Sequence, residues 1–400
     1  MIRTLTVLTL ASAALTAPLQ AETLRVAAGE NAQERVQTAL IDAKPGDVIE
    51  LGEGRFDFTD GLSLDVDKVT VRGAGADKTI LSFKGQKGAG EGLLITSDDV
   101  VLRDFAVEDT KGDGIKSKGV SNIVFYKLRV EWTGGPKQSN GAYGVYPVTS
   151  TNVLIDAVSV RGASDAGIYV GQSKNIIVRN SDARFNVAGI EIENSYDADV
   201  YSNIATRNTG GILIFDLPNL PQMGGKNVNV FANYVGRNDT PNFAPKGNIV
   251  ATVPNGTGIL VMANRNVHLF NNRIEENATA NVMIAGYRAP FDDKNYTPTG
   301  SDIYVYGNQY GRAGWKPGPQ FPGGEQMAAA FGGSLPSVIW DGTGSRIEVR
   351  DGAALILGLS APGADLSTAK PRVLQMTYEN KPLPATTRIT LPPAMEQAIK

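Results

Sequence analysis

A glycine followed by an alternation of β-branched residues or leucine recurs along the middle of the chain at a nearly fixed interval. The copies begin at Gly92, Gly114, Gly144, Gly167, Gly189, Gly211 and Gly258, with a degenerate copy at Asn281. The steps between them are 22, 30, 23, 22, 22, 47 and 23 residues. Such a period predicts stacked units, each of which buries its apolar face only against its neighbours.

Each copy is typical of short strands joined by turns. In the copy at 189–210, Ile190 and Ile192 alternate with Glu191 and Glu193. This period of two indicates a strand with one buried face. A polar turn, a second short strand and a third piece follow before the next glycine. The repeat therefore predicts two or three strands per coil and no helix.

Asparagines recur at two fixed places in the repeat. One set follows the second strand: Asn203, Asn233, Asn272 and Asn308. The other set lies shortly before the next glycine or its degenerate copy: Asn140, Asn186, Asn208, Asn255 and Asn277. Stacked coils place such residues one above another, where their amides form hydrogen-bonded ladders and satisfy turn backbone. We therefore predict that these asparagines are structural.

The pattern predicts an all-β fold, a right-handed parallel β-helix of about ten coils, and the chain resembles the pectin-lyase-like superfamily. The stretch AQERVQTALIDAKPGDVIEL places Val36, Ala39, Leu40 and Ala43 on one helical face before Pro45 breaks the pattern. It resembles the N-terminal capping helix of that superfamily. A C-terminal tail packed on the last coil would cover an otherwise exposed strand edge.

The chain begins with the pattern of a secretory signal, in which a charged start precedes a short apolar run and small residues. The run is too short to span a membrane. We predict four parts: 1–21 signal peptide, 22–60 N-terminal cap and first coil, 61–310 parallel β-helix, and 311–400 C-terminal capping tail. A periplasmic or secreted protein without membrane insertion is expected.

The composition of the chain excludes several classes of function. The chain has no cysteine, which removes disulfides, thiolate metal sites and cysteine nucleophiles. The net charge is −3 without a basic block, so no nucleic-acid partner is expected. A single histidine, His268, forms no multi-histidine metal site. We expect a monomer with no metal site and no evident cofactor. Ca²⁺ is compatible with the sequence, although no motif supports it.

Four insertions break the repeat, at residues 131–143, 215–226, 236–257 and 287–299. The first and third leave from one part of a coil, and the second and fourth leave after the Gly-Ile strand. Each pair should therefore rise on one side of the rod. Functional residues concentrate on loops held by a rigid scaffold, so a cleft between the loops is predicted.

The Gly-Ile strand face between these loops carries the candidate site. Paired carboxylates on one face can divide into acid and base when burial separates their pKa values. The candidate catalytic residues are Glu191, Glu193, Asp165, Tyr169 and Lys116. The candidate substrate-binding residues are Lys118, Tyr146, Phe215, Asp216 and Arg288. An ordinary solvated strand face is the alternative.

A second outward column is aromatic: Tyr126, Tyr201, Phe231, Phe270 and Tyr306. Aromatic rows stack on sugar rings or on one another, and we favour the structural interpretation. His268 is predicted to lie beside Asn229 and Tyr304 as a surface or ladder residue. No Gly-x-Ser-x-Gly motif supports a Ser-His-Asp triad.

Several stretches resemble one family more closely: GAYGVYPV, DAGIYVGQS, NVAGIEIENS, NTGGILIFDLP, NFAPKGNIVATVP and GTGILVMA. They are similar to bacterial exported parallel β-helix proteins whose genes commonly lie beside a di-haem c-type cytochrome family. The resemblance, through residues 141–263, implies a fold and a possible cytochrome partner without a reaction. Motifs of β-helix polygalacturonases (Gly-His-Gly) and alginate epimerases (Asp-Pro-His-Asp) are absent.

Two hypotheses remain. The first is an enzyme, a lyase or epimerase, that acts on an extracytoplasmic polysaccharide. The second is a non-catalytic module or scaffold that holds a polysaccharide or docks the cytochrome. A deep cleft over Glu191 and Glu193 with basic neighbours would favour the enzyme, and a flat, loop-covered face would favour the scaffold.

Overall fold

The computed structural model describes residues 21–375 and 382–400, and the predicted signal peptide lies almost wholly outside these ranges. Three long sheets run along a rod, with twelve, twelve and ten strands. A coil gives one strand to each sheet in turn, and neighbouring coils pair in parallel. This is the parallel β-helix that the repeat predicts.

We number the sheets in the order in which a coil visits them. The strands of sheet 1, which contains the Gly-Ile strands, are Leu62–Leu64, Leu93–Ile95, Ile115–Lys118, Tyr143–Val148, Ala166–Gly171, Ala188–Glu193, Gly210–Phe215, Thr257–Met262, Ala280–Ala285, Val338–Trp340, Ala353–Ile356 and the antiparallel Arg372–Gln375. The strands of sheet 2 are Thr23–Val26, Val48–Leu51, Thr70–Arg72, Val101–Arg103, Ser121–Tyr126, Thr151–Asp156, Lys174–Arg179, Tyr196–Tyr201, Lys226–Phe231, Arg265–Phe270, Ser301–Tyr306 and Ser345–Val349. The strands of sheet 3 are Gly54–Asp57, Thr79–Ser82, Ala106–Glu108, Arg129–Glu131, Ser159–Arg161, Asp182–Arg184, Ile204–Thr206, Tyr234–Gly236, Arg273–Glu275 and Gln309–Tyr310.

The core of the rod consists of stacked aliphatic rows. Ile168, Ile190, Ile212, Ile259 and Val282 occupy the same register position on successive sheet-1 strands. All five are fully buried. Each row removes its apolar surface from water only because the next coil covers it. The alternation therefore identified the inward face correctly.

Two asparagine ladders run through the turns. In the first, Asn203, Asn233, Asn272 and Asn308 pass hydrogen bonds of 2.7–3.0 Å from coil to coil and end on Asp351. The second joins Asn186, Asn208, Asn238, Asn277 and Asn281. The structural role is confirmed, but Asn238 takes the place predicted for Asn255, because the ladder position lies near the start of the third insertion rather than at its end.

The N-terminal end of the rod is closed by an α-helix, Ala32–Asp42. Val36 and Leu40 are buried in the main core, and Ala43 follows them into it. Pro45 lies beyond the last turn, as the helix-breaking pattern indicates. The helical cap predicted from this face is confirmed.

The predicted C-terminal tail divides into two parts. Strands at 338–340, 345–349 and 353–356 continue sheets 1 and 2, and the helix Gly324–Ala330 packs beside them. The second part, 382–400, ends in the helix Pro393–Gln397 and lies along the outer face of sheet 2.

Apolar and ionic contacts hold this second part, which we call the C-terminal segment. Leu391 and Met395 pack against three buried sheet-2 side chains: Val124, Leu154 and Ile177. Arg388 Nε lies 2.6 Å from Oδ2 of the fully buried Asp199. The segment therefore covers the middle coils of sheet 2 rather than only the end of the rod.

The aromatic column of sheet 2 is a stack. Ring centroids lie 4.9 Å apart from Tyr201 to Phe231 and from Phe231 to Phe270, and 5.2 Å apart from Phe270 to Tyr306. The Arg388 guanidinium lies 4.3 Å from the Phe231 centroid. His268 is buried in register between Asn229 and Tyr304, as a ladder residue. Within the described ranges, no helix has the length and apolar character that a membrane crossing requires.

Candidate functional site

The outer face of sheet 1 carries a continuous row of polar and then apolar side chains. From coil to coil the row runs Lys116, Tyr146, Tyr169, Glu191, Leu213, Leu260. A second row two residues further on runs Gly171, Glu193, Phe215, Met262. Adjacent strands lie about 4.8 Å apart, so each side chain contacts the next. The two rows contain six of the candidate residues: Lys116, Tyr146, Tyr169, Glu191, Glu193 and Phe215.

The alternative of an ordinary solvated strand face does not describe the acids, because they are buried. Only 1% of Glu191 and 6% of Glu193 is exposed, and four other candidates are also buried: Asp165, Tyr169, Phe215 and Asp216. Val250 and Val253 of the third insertion join Leu213 and Leu260 in one buried cluster. The period-two pattern shows which side chains point outward, but it does not show which of them a loop covers.

Tyr169 and Glu193 form the central contact of the site. The Tyr169 hydroxyl donates a 2.7 Å hydrogen bond to Glu193 Oε1 from the neighbouring coil. A Cβ on Gly171 would lie 2.4 Å from the Tyr169 hydroxyl oxygen and ring. The tyrosine therefore lies over Gly171, and the absence of a side chain there allows the phenol to reach the carboxylate.

Glu191 is a buried carboxyl group whose two oxygens have no hydrogen-bond partner of good geometry in the described chain. Burial raises its pKa well above the usual value, and the charges of Asp165 and Glu193 raise it further. Ionising such a group without a partner is costly, so its surroundings favour the neutral form of Glu191.

Burial also raises the pKa of Glu193 to about 7, while the Tyr169 hydrogen bond acts in the opposite direction. The pKa of Asp165 is likewise raised to about 7 by burial. Asn248 of the third insertion donates to Asp165 Oδ2 at 2.8 Å. Three carboxyl groups with perturbed pKa values are thus brought together under one loop.

The row becomes accessible at Lys116 and Tyr146. The Lys116 ammonium lies 2.7 Å from Glu91 and 3.6 Å from Asp113, and 4.9 Å from the Tyr146 ring centroid. Its side chain keeps 21% of its surface exposed, and Lys118 is exposed beside it. We call these residues the mouth of the site.

Tyr143 joins Tyr146 and Tyr169 in a cluster of three rings between the mouth and the acids. Its centroid lies 4.5 Å from Tyr146 and 4.4 Å from Tyr169. Burial raises the pKa of the nearby Asp113 to about 6. Sequence reasoning missed Tyr143, Asp113, Glu91 and Asn248. Strict alternation would place Tyr143 on the inward face with Val145, so the period of two could not identify it; the structure instead packs its ring with the outer cluster.

Asp216 lies at the opposite end of the acids. Its carboxylate accepts from the backbone N–H groups of Gly224 and Gly225 at 3.0 and 2.7 Å. Burial still raises its pKa to about 6. Tyr296 of the fourth insertion donates to the Asp216 carbonyl oxygen. The second and fourth insertions therefore meet beside Glu193.

Two predicted binding residues differ from the rest. Phe215 is buried under the loops with Leu213 and Tyr296, so it supports the site from within. Arg288 is exposed and its backbone lies against Gly363 of the C-terminal part, so the structure does not bring it to the acids. Among residues 21–375 and 382–400, no group of three or more His, Asp or Glu side chains has the arrangement of a metal site.

Comparison with known proteins supports the fold. A family model described as right handed beta helix region matches residues 87–247. No curated protein matches the chain. The molecule has the right-handed parallel β-helix fold that its repeat predicts.

Three solved structures share this fold. The A-module of the Azotobacter vinelandii mannuronan C-5 epimerase AlgE4 is 14% identical, with a TM-score of 0.51 over 79% of this chain and 91% of that one. DFA-IIIase from Arthrobacter chlorophenolicus A6 without its lid is 12% identical, with a TM-score of 0.51 over 79% and 90%. A second structure of this enzyme in complex with GF2, not described as lacking the lid, is 13% identical, with a TM-score of 0.51 over 81% and 93%. At these identities the likeness describes the fold alone.

Proposed function

We propose that this protein modifies an extracytoplasmic polysaccharide by proton transfer at a sugar carbon, in the manner of a lyase or an epimerase. The observation that carries the proposal is the Tyr169–Glu193 hydrogen bond. It lies in a water-excluded cluster where Glu193 and Asp165 have pKa values of about 7. Groups that titrate near the working pH are the most effective general acids and bases.

The residues take distinct roles in this reaction. Tyr169 takes the proton from the carbon next to the sugar carboxyl group as its own proton passes to the Glu193 carboxylate. The two transfers are concerted, because burial raises the pKa of Tyr169 well above its usual value and opposes a free tyrosinate. The electron pair left on carbon is delocalised into that carboxyl group. A lyase then expels the oxygen on the neighbouring carbon, whereas an epimerase returns a proton to the opposite face. Protonated Glu191 or Asp165 supplies a proton for the second step.

The route by which a substrate would enter follows from the decrease in side-chain exposure from Lys116 to Tyr169. The half-buried Lys116, Tyr146 and Tyr143 lie between solvent and Tyr169. Asn248, which donates to Asp165, belongs to the third insertion. Movement of that insertion would uncover the acids, as lid loops do in many enzymes. A loop-covered face on its own would favour the scaffold hypothesis. On this proposal, the loop-covered face is the closed state of the enzyme.

The test incubates purified mature protein with uronate-containing and neutral polysaccharides, with and without Ca²⁺. Unsaturated ends are followed by ultraviolet absorbance, new ends by reducing-sugar assay, and C5 proton exchange by NMR in D₂O. We expect one of these signals, reduced about 100-fold or more in Tyr169→Phe and Glu193→Gln. The matched control is Tyr126→Phe, which alters a half-buried tyrosine on the outer face of sheet 2. This variant should keep its activity.

A panel without any signal from folded protein would overturn the catalytic proposal. Retained polysaccharide binding would then favour the binding module, and capture of a c-type cytochrome from periplasmic extract would favour the docking scaffold. The cytochrome partner and export of the chain stay predictions.

A further inference from the structure

A column of cations begins the sheet-2 strands next to the acid cluster. Lys174, Tyr196, Lys226 and Arg265 occupy the same register position on four successive strands. With coils about 4.8 Å apart, the column extends about 14 Å along the rod. It lies one short turn beyond Glu193, because only two residues separate Glu193 from Tyr196.

The three cations lack carboxylate partners. Among the described residues, no Asp or Glu lies within salt-bridge distance of Lys174, Lys226 or Arg265, whereas Arg179 on the same sheet pairs with Asp156 and Glu396. The ammonium groups of Lys174 and Lys226 instead lie 5.5 and 5.0 Å from the Tyr196 ring centroid. Because like charges at this spacing repel, an anion placed along the column would be attracted by all three.

A groove borders the column at Lys174 and Arg265, and the exposed Lys226 lies outside its lining. Its volume is about 380 Å³, within the range of ligand sites. The second insertion and the fourth insertion form its walls, and its lining includes Lys174, Tyr196, Gly224, Arg265, Asn295 and Thr297. A Cβ on Gly224 would lie 2.4 Å from Arg265 Nη2. The glycine therefore leaves room for the guanidinium at the edge of the groove.

A charge that lines the groove acts on one of the acids. Burial raises the pKa of Asp216, and the charge of Arg265 lowers it. Tyr296, which lines the groove, donates to the Asp216 carbonyl oxygen. A chain bound along the column would pass within one layer of side chains of Glu193.

We propose that this column binds a linear anionic polysaccharide, with a carboxylate on each of several successive sugars paired to Lys174, Lys226 and Arg265. A neutral glycan would need a free aromatic face, but Tyr196 lies between two ammonium groups and its hydroxyl donates to the Met223 carbonyl oxygen at 2.6 Å. The site therefore selects an anionic glycan over a neutral one. As a statement about substrate class, this inference rests on the proposed function.

The experiment measures binding of the full mature chain to polygalacturonate, alginate, dextran sulfate and dextran by isothermal titration at two ionic strengths. We expect uronate binding that weakens with salt, and no dextran binding. The double variant Lys174→Ala with Lys226→Ala, and Arg265→Ala alone, should each weaken binding by about tenfold or more. The matched control, Lys84→Ala with Lys87→Ala, removes two exposed charges elsewhere and should bind normally.

The outcomes separate this proposal from the previous one. Uronate binding lost in the column variants but not in the control, without any turnover, would support the column and overturn only the catalytic proposal. Turnover with unchanged binding in the column variants would overturn only the column. Equal weakening in the column and control variants, or tighter binding of dextran sulfate than of either uronate, would show unspecific charge attraction and also overturn it. Thermal unfolding of each variant verifies the fold.

Discussion

The Tyr169 hydroxyl donates to the Glu193 carboxylate from the preceding coil at 2.7 Å, over a glycine that leaves space for the ring. This contact links the half-buried mouth at Lys116 and Tyr146 to the buried carboxyl groups. A parallel β-helix is suited to such an arrangement, because residues 22 to 24 apart in sequence become neighbours on one face.

Gly171→Ala should displace the Tyr169 ring. The added Cβ would lie 2.4 Å from ring and hydroxyl atoms, and overpacking of this kind costs about 1–3 kcal/mol. Thermal unfolding measures the loss, and tyrosine fluorescence reports the new environment. Gly90→Ala is the control, since an added Cβ there meets nothing within 4 Å. Equal stability of the two variants would contradict the packing described here.

Tyr169→Phe should raise the pKa of Glu193 further, because the phenol hydrogen bond lowers it against the effect of burial. The lost hydrogen bond should reduce the free energy of unfolding by about 1 kcal/mol. NMR titration of ¹³C-labelled glutamate carboxyl groups follows the shift. A Glu193 pKa that stays unchanged or falls would show that the hydrogen bond is absent in solution.

The free energy of unfolding should fall as pH rises from about 4.5 to about 7. The folded-state pKa of Glu193 is raised from 4.5 to about 7, so its stabilising contribution is present below the unfolded pKa and is lost as the pH rises through the folded one. The upper bound is about 3 kcal/mol. Urea unfolding across this range measures it.

Glu193→Gln should make this pH dependence shallower, because the amide does not ionise and still accepts from Tyr169, while Asp165 continues to titrate in the same range. Glu325→Gln, on the exposed side of the helix Gly324–Ala330, should leave the dependence unchanged. Identical pH profiles for wild type and Glu193→Gln would argue against a titrating group at this position.

Asn233→Ala should break the first ladder. It removes the acceptor for the Asn203 backbone and side-chain N–H groups and the donor to Val200 and Asn272. Unsatisfied buried groups of this kind cost about 2–4 kcal/mol in total. Gln309→Ala, an exposed amide on sheet 3, should change stability by less than about 0.5 kcal/mol. Similar unfolding midpoints for both variants would refute the ladder's contribution.

Met395→Ala should loosen the C-terminal segment from sheet 2, because Met395 packs with Leu154 and Ile177. A loss of about 1–3 kcal/mol is expected from the removed contacts, with faster hydrogen exchange at 382–400. Gln397→Ala, exposed on the same short helix, should have little effect. Unchanged exchange in Met395→Ala would mean that this contact does not hold the segment.

The sequence alone was sufficient to predict the parallel β-helix. The spacing of the Gly-Ile strands predicted the coils, the period of two separated Ile190 and Ile192 from Glu191 and Glu193, and the recurrent asparagines predicted the ladders. These features are local, and stacking repeats them, so a pattern read in one coil holds in the next.

Only the tertiary structure decided what covers the rod. The insertions vary in length and carry no repeat, so their return over Glu191 and Glu193, the Asn248–Asp165 hydrogen bond and the distant place of Arg288 could not be predicted. The same holds for the C-terminal segment, whose contacts with Asp199 join residues nearly two hundred positions apart. The burial that raises the pKa values of the acids therefore arises from long-range packing, because a strand pattern specifies the direction of a side chain but not what lies above it.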